Sequence, residues 1–308
     1  MSTPSAAART RSPDLAGYLF AGLGASLFAT KGVIIKLAYQ AGLTAETLLT
    51  LRLLISAPAY AAIGLMAVRR GRALPERKLA LKAMLVGALG YWLASYTDFE
   101  GLNYISVQFE RLILFTYPAF VVLFGALLFK QKVRPAALWG VALSYAGLIL
   151  MFGTKLQSLG PAVTKGALLV LTAAVAFAFY QLLAKDMITR LGSRLFTCIA
   201  MLGAMVATVL QFVLTRPLSD LEVSRTGLGY AAFLAVGATI VPTFLLNAAL
   251  ERISPQANGA IGTLSPVITL ALAVAVLGEH IGWVDIAATV LVIAGVAWFT
   301  LLDSRRTA

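Results

Sequence analysis

The chain has 308 residues, of which 60% are apolar and only 12% are charged, and its formal net charge is +12. A water-soluble domain carries about 25% charged residues and could not cover this much apolar surface, so a soluble globular protein is excluded. The single Cys198 and the single His280 exclude an internal disulfide and a multi-histidine metal site, and we expect no cofactor. The basic residues lie in short clusters between long apolar runs, which excludes a nucleic-acid-binding stripe.

Ten apolar segments are long enough to cross a bilayer, because a spanning helix needs about 20 residues. They cover residues 15–38, 46–68, 79–98, 104–129, 135–152, 166–187, 193–214, 227–249, 254–278 and 283–302. We therefore predict an all-α integral membrane protein with ten transmembrane helices, preceded by a cytoplasmic tail at residues 1–14.

The orientation follows from the distribution of lysine and arginine between the connecting segments. With the N-terminus inside the cell, the cytoplasmic segments hold 17 of these residues and the external segments hold 5. The positive-inside rule then places both termini in the cytoplasm. In this arrangement the acidic pair Asp98 and Glu100 lies on the external side.

The chain contains an internal repeat. Residues 102–118 align with residues 250–266 at an offset of 148, with 6 of 17 positions identical, including Pro118 and Pro266. We predict two repeats, 15–152 and 166–302, of five helices each. Because five is an odd number, the second repeat inserts upside down. Inverted repeats are typical of secondary transporters, whose substrate sites lie in a central cavity between the halves.

The repeat motifs resemble the EamA-type branch of the drug/metabolite transporter superfamily. They are Ile-Ser-x-Gln followed by proline in each half, then Leu277-Gly278-Glu279, and a last helix that opens at Trp283 and contains Gly295. Arg52 also matches an arginine common in that branch. The first repeat departs from the pattern, since Gln131-Lys132 stand where the second has Glu279-His280.

The resemblance covers both repeats and implies a transporter rather than an enzyme. It implies a ten-helix protein of the bacterial inner membrane that exports aromatic and other small neutral amino acids by alternating access. Amino acids and the lipid bilayer would be its partners, and we expect a monomer. A drug or metabolite exporter of another substrate class is the alternative within the branch.

Polar and aromatic side chains at helical spacing, some at repeat-related positions, are the candidates for substrate binding. They are Tyr91, Ser95, Phe99, Phe177, Tyr180, Thr239, Thr243, Asn247 and Asn258. Each of them could instead serve only helix packing or hydrogen bonding between helices.

Four charged residues lie well inside predicted spans, away from their ends, where insertion costs roughly 2.5–3.5 kcal/mol each: Lys31, Arg52, Glu110 and Arg111. Since Glu110 and Arg111 are adjacent and not expected to face each other, we expect one of them to pair with Lys31 or Arg52. A structural lock and a substrate or proton role both stay open. Pro118 and Pro266 are predicted to kink their helices in mid-span and to serve gating.

Two further classes of function are open. His280 and Asp285 have the His-x4-Asp spacing of an acyltransferase, in which the aspartate orients a catalytic base, so an integral-membrane enzyme is one alternative. A channel is another. The sequence does not decide the substrate list, proton coupling, the direction of transport or the oligomeric state.

Overall fold

A computed structural model describes residues 15–71, 74–130, 135–250, 252–253, 261–262 and 264–304. These residues form α-helices, two π-helices and one short 3-10 helix, and the described part of the chain contains no strand. The predicted all-α class is therefore confirmed. The tail at residues 1–14 and Gln131-Lys132 lie outside the described residues.

Eight α-helices of the described structure cover the first repeat, the link to the second repeat and the first helix of the second repeat. They are α1 Leu15–Ala29, α2 Lys31–Gln40, α3 Ala45–Arg69, α4 Arg77–Gly87, α5 Ala94–Gly101, α6 Val107–Leu114, α7 Tyr117–Phe129 and α8 Pro135–Leu191. The first π-helix, π1, is Ala88–Leu93 and joins α4 to α5.

Five more α-helices with described bounds lie in the rest of the chain. They are α9 Ser193–Thr215, α10 Arg225–Ala235, α11 Val241–Leu250, α12 Ser265–Leu277 and α13 Trp283–Ser304. The second π-helix, π2, is Val236–Ile240 and joins α10 to α11, and the 3-10 turn is Leu218–Leu221.

The residues of α8 form two consecutive helices with a break between them. Its 57 residues would extend about 85 Å as one straight helix, against a hydrocarbon core of about 30 Å. The break is at Gly160, whose φ of 66° and ψ of −172° leave the helical region, and Pro161 follows it directly. Helical backbone therefore continues from both sides into the predicted 153–165 connection and stops at one glycine.

Within the described residues, seven spans are long and apolar enough to cross a membrane. They are Leu15–Gln40, Ala45–Arg69, Arg77–Gly101, Val107–Leu128, Gly160–Leu191, Ser193–Thr215 and Arg225–Leu246. Each matches one of the ten predicted segments. Crossings by the other three segments, 135–152, 254–278 and 283–302, stay a prediction.

The third span is longer than predicted. Helix α5 continues to Gly101, and Asp98 is only 2% exposed. Asp98 was predicted as the last residue of this span, at its external end. The predicted span stops there because an acidic residue lowers the hydropathy even when a cation neutralises it inside the protein.

The repeat is visible in the backbone itself. Helix starts recur 148 residues apart, at Ala45 and Ser193, Arg77 and Arg225, Tyr117 and Ser265, and Pro135 and Trp283. The π-helices also begin 148 residues apart, and so do the left-handed C-caps at Lys130 and Gly278, with φ values of 51° and 66°. Irregularities of this kind depend on local packing, so their common offset shows that the two halves share one fold.

Glycines bring α4 and α9 into direct backbone contact. A Cβ atom on Gly87 would lie 2.1 Å from the carbonyl oxygen of Ala200, and one on Gly203 would lie 2.5 Å from that of Met84. Small residues allow this approach, which dispersion forces favour in a lipid environment. The contact fixes the end of α4 and so the position of π1.

Candidate functional site

Three of the predicted substrate-binding residues come together. The rings of Tyr91 in π1 and Tyr180 in α8 meet edge to face, with centroids 5.0 Å apart and hydroxyl oxygens 3.1 Å apart. Phe177, nearly one helical turn before Tyr180, stacks on it at 5.6 Å. These three side chains therefore share one location in the structure, and their role in substrate binding stays a prediction.

Two further rings extend this group. Tyr117 meets Phe177 edge to face at 5.0 Å, and Phe196 of α9 stacks on Tyr180 at 6.2 Å. We call these five residues the aromatic cluster. The sequence signal for Tyr117 was its position directly before the repeated Pro118. No repeat or spacing pattern indicated Phe196.

A glycine in π1 makes room for the cluster. A Cβ atom on Gly90 would lie 2.3 Å from the ring of Tyr180, so a larger residue would displace that ring. π-Helical turns occur often at functional sites because they shift side chains out of helical register. Here π1 carries Tyr91 into the cluster.

Arg52 is a buried cation with an incomplete set of partners. Its Nε donates to Thr239 Oγ1 at 3.0 Å, and Thr239 Oγ1 donates to the carbonyl of Leu234 at 2.8 Å. Arg52 is 5% exposed, and its Nη1 has no hydrogen-bond partner among the described residues. Tyr91 and Thr239 occupy matched positions in the two π-helices. π1 presents Tyr91 to Tyr180, and π2 presents Thr239 to Arg52.

Phe99 has a different environment from the one predicted. Its ring is 0% exposed and lies between two cations, with Lys31 Nζ at 5.8 Å and the Arg52 guanidinium at 5.6 Å from its centroid. Its carbonyl accepts a hydrogen bond from the Tyr39 hydroxyl at 2.7 Å. The Phe99 ring is therefore occupied by cation–π contacts.

Lys31 pairs with Asp98 rather than with Glu110 or Arg111. Its Nζ lies 2.6 Å from Asp98 Oδ2. The expected pairing was wrong because Asp98, at the end of its predicted span, was not counted among the charges inside the membrane. This salt bridge joins the start of α2 to α5, next to the break between α1 and α2.

Glu110 and Arg111 also contact each other, contrary to the expectation for adjacent residues. Arg111 Nε lies 3.9 Å from Glu110 Oε2, because the long arginine side chain can turn back along the helix. Both residues are buried, and several of their polar atoms lack a hydrogen-bond partner among the described residues.

The remaining polar candidates are less closely connected. Thr243 Oγ1 donates to the carbonyl of Thr239 at 2.7 Å, within its own helical segment, and its side chain also contacts the Tyr60 hydroxyl. Ser95 is half-buried in α5. Asn258 and the side chain of Asn247 lie outside the described residues.

The two prolines lie beside helix breaks, not in mid-ladder. Pro118 is in the first turn of α7 and Pro266 in the first turn of α12. The first backbone N–H groups of a helix have no intrahelical partner, so neither proline removes a bond there. Both halves contain a break in the helix beside the proline, as predicted. The prediction that each proline removes a backbone hydrogen bond within a helix was wrong.

Glu279 connects the two repeats. Its Oε1 accepts a hydrogen bond from the backbone N–H of Val107 at 2.9 Å. Val107 begins α6 in the first repeat, whereas Glu279 follows α12 in the second, so a carboxylate from one half sits at the positive end of a helix in the other.

The residues of the acyltransferase-like spacing lie at the start of α13. Asp285 Oδ2 accepts a hydrogen bond from the N–H of Gly282 at 2.9 Å and is 6% exposed, whereas His280 is exposed. This carboxylate contact caps the last helix, a structural role that the spacing alone did not reveal.

Comparison with known proteins agrees with this architecture. The model of the EamA-like transporter family matches residues 15–153 and 164–301. The chain belongs to the EamA-like transporter family. Both matches coincide with the halves related by the 148-residue offset, so this EamA-like transporter contains two copies of the family domain.

Relatives of this EamA-like transporter are named as transporters. It is 29% identical to "Uncharacterized transporter YcbK" of Bacillus subtilis, with 88% of each chain covered. It is 25% identical to a "Probable amino-acid metabolite efflux pump" of Salmonella typhimurium, over 70% of this chain and 76% of the relative. It is 26% identical to "Aromatic amino acid exporter YddG" of Ancylobacter novellus, over 71% of this chain and 75% of the relative.

A solved structure shares the fold. A crystal structure described only as that of a protein superimposes on this EamA-like transporter with a TM-score of 0.63 and 20% identity. The match covers 94% of this chain and 98% of the other.

Proposed function

We propose that this transporter exports aromatic and other small neutral amino acids across the bacterial inner membrane by alternating access. The observation that carries the proposal is the buried Arg52, whose Nη1 lacks a partner in the described structure and which lies near Tyr91. Tyr91 belongs to the aromatic cluster. A cation beside a group of rings matches a molecule that carries a carboxylate and an aromatic ring.

The guanidinium of Arg52 is the proposed partner of the substrate carboxylate. Arginine presents a planar set of donors that a carboxylate accepts in pairs, and such a bond is strong when both groups are shielded from water. Arg52 Nε is held by Thr239, so Nη1 is the donor left for a ligand. The side chain of an aromatic amino acid would then stack on the cluster.

The membrane arrangement belongs to the same proposal. It consists of ten helices in two inverted five-helix repeats around a central cavity, with both termini in the cytoplasm and repeat bounds of 15–152 and 166–302. The matched breaks before Pro118 and Pro266 support the inversion, since alternating access requires equivalent elements that exchange shapes. Names of relatives such as the Ancylobacter exporter support the substrate class.

Counterflow in proteoliposomes tests the proposal. Vesicles loaded with unlabelled phenylalanine should transiently accumulate labelled phenylalanine and tryptophan from outside. External phenylalanine should compete, whereas phenethylamine, which lacks the carboxylate, should not. A channel would give no transient accumulation, and an enzyme would convert the label.

A matched pair of arginine variants locates the site. Arg52→Gln should abolish amino-acid counterflow, while Arg69→Gln, at the exposed end of the same helix, should preserve it. Competition by phenethylamine equal to that of phenylalanine would refute the carboxylate role of Arg52. Absence of counterflow for every amino acid, in folded parental protein, would refute the substrate class.

A further inference from the structure

The buried charges are not repeated, although the fold is. The residues at matched positions in the second repeat, 148 or 149 residues later, are uncharged. The first-repeat set is Lys31, Arg52, Asp98, Glu110 and Arg111, and the corresponding residues are Tyr180, Ala200, Leu246, Asn258 and Gly259. A feature confined to one half of a duplicated fold is not required to build that fold, so these charges need a different explanation.

Glu110 is the most enclosed of these groups. It is 0% exposed, and neither carboxylate oxygen has a hydrogen-bond partner among the described residues. The closest basic atom, Arg111 Nε at 3.9 Å, lies beyond hydrogen-bond distance. An ionised carboxylate in this position would be poorly stabilised.

Asp98 lies beside it with one oxygen in use. Its Oδ2 binds Lys31 at 2.6 Å, while Oδ1 has no partner among the described residues. The carboxyl groups of Asp98 and Glu110 lie close enough to interact electrostatically. Two ionised carboxylates have no hydrogen to share and repel each other, whereas a single proton between them forms a bond and removes the repulsion.

We propose that Glu110 and Asp98 hold one exchangeable proton and form a proton-binding site that couples transport to a proton gradient. In the bound state Glu110 donates its O–H to Asp98 Oδ1, and Lys31 neutralises the ionised Asp98. In the released state the proton has passed to water on one side of the membrane, and Glu110 is a carboxylate beside Arg111.

The surroundings support both states. The charged groups that face the site are Lys31 and Lys36 of α2, Arg52 of α3, Asp98 of α5, Arg111 of α6 and Glu279 after α12. Four are cations and two are anions, so the ionised Glu110 has a compensating positive charge. The contact of α6 with α8 is apolar and includes Phe109 and Val170.

The site is connected to Arg52 through one ring. Phe99 follows Asp98 directly, and its ring lies 5.8 Å from Lys31 Nζ and 5.6 Å from the Arg52 guanidinium. A substrate carboxylate on Arg52 would change the charge on one side of Phe99, and proton release would change it on the other. This link rests on the proposed function, whereas the proton site itself does not.

Infrared spectroscopy of the purified protein tests the site without any substrate. The parental protein at neutral pH should show the carbonyl-stretch band of a buried protonated carboxylic acid, which shifts on exchange into heavy water. Glu110→Gln should remove this band. The control Glu100→Gln changes a half-buried acid outside the proposed proton site, so the band should remain. Absence of the band in the parental protein, or its persistence in folded Glu110→Gln, would overturn the proposal.

A second variant covers the case in which Glu110→Gln does not fold. Asp98→Asn changes the acceptor of the proposed hydrogen bond while leaving Glu110 in place, so the band should move to another frequency. An unchanged frequency would overturn the proposal.

Transport measurements test the coupling. In proteoliposomes an imposed pH gradient should drive phenylalanine accumulation by the parental protein, and Glu110→Gln should reduce this accumulation several-fold more than it reduces counterflow. Counterflow in the parental protein without any effect of the gradient would refute coupling. If no amino acid shows counterflow, the proposed function fails, and the infrared band alone decides the proton site.

Discussion

The aromatic cluster and Phe99 have different contacts, and this difference predicts different effects on selectivity. Phe177→Ala should raise the KM for tryptophan relative to that for threonine by about two- to tenfold, since an aromatic pair contributes about 0.5–1.5 kcal/mol beyond its buried area. The ratio of the two KM values in proteoliposomes measures the effect.

Phe99→Leu is the matched control for that experiment. Its ring is enclosed by Lys31 and Arg52, so the substitution should change transport of both amino acids by the same factor. If Phe177→Ala also affected tryptophan and threonine equally, the cluster would be a packing feature only.

The Lys31–Asp98 salt bridge predicts a dependence between two substitutions. Removal of one partner of a buried pair leaves an uncompensated charge and typically costs about 3–5 kcal/mol, whereas removal of both costs much less. Lys31→Met or Asp98→Asn alone should therefore lower the Tm of the detergent-solubilised protein, and the double variant should recover most of the loss.

The exposed pair Arg190–Asp186 provides the comparison for this cycle. Arg190 Nε lies 3.1 Å from Asp186 Oδ1, and the two side chains are 60% and 56% exposed. Because a solvent-exposed ion pair contributes little to stability, Arg190→Met should barely change the Tm. A Lys31→Met protein as stable as the parent would show that the buried salt bridge contributes nothing to stability.

At the scale of helices, the positions of the prolines change what their substitution should do. Since Pro118 and Pro266 lie in first turns, alanine there restores no ladder bond, and the Tm of Pro118→Ala or Pro266→Ala should stay close to the parental value. If the breaks serve gating, the transport rate should fall several-fold while substrate affinity changes little. Parental rates in both variants would make the prolines packing residues only.

The contact of α4 with α9 predicts a strong effect from a single methyl group. In Gly87→Ala the added Cβ would lie 2.1 Å from the Ala200 carbonyl oxygen, a backbone atom that cannot move alone. The yield of folded protein on size-exclusion chromatography should fall sharply.

Gly229→Ala tests the same chemistry without the contact. No atom lies within 4 Å of the new Cβ, and alanine favours a helix over glycine by up to about 1 kcal/mol. This variant should be as stable as the parent or more stable. Equal yields of the two variants would contradict the close packing of α4 and α9.

For the whole molecule, the topology is the central prediction. Single cysteines in a Cys198→Ala background should resist an impermeant thiol reagent in intact cells when placed in the 69–78 connection, and should react when placed near Arg216. The basic residues concentrated at the first site and the odd number of helices per repeat give the reason. Labelling of the first site from outside would refute the orientation.

The sequence predicted the scaffold better than the site. The offset of 148 was visible in a few identities and holds for helix starts, π-helices and C-caps, because hydrophobic runs and turn residues determine these features locally. Tyr91, Phe177 and Tyr180 were found because repeat position selects a helix face. Asp98 was missed because hydropathy treats every charge as solvated, and the pairing that keeps it buried comes from a residue 67 positions away.

The confinement of the buried charges to the first half also bears on biosynthesis. Lys31, Arg52, Asp98, Glu110 and Arg111 all precede the break at Gly160, so their mutual contacts can form while the second half is still on the ribosome. At about 5–20 residues per second, the remaining chain takes roughly seven to thirty seconds to make. During that interval the charges that lipid tolerates least already neutralise one another, whereas bonds such as Arg52–Thr239 and Glu279–Val107 await the later helices.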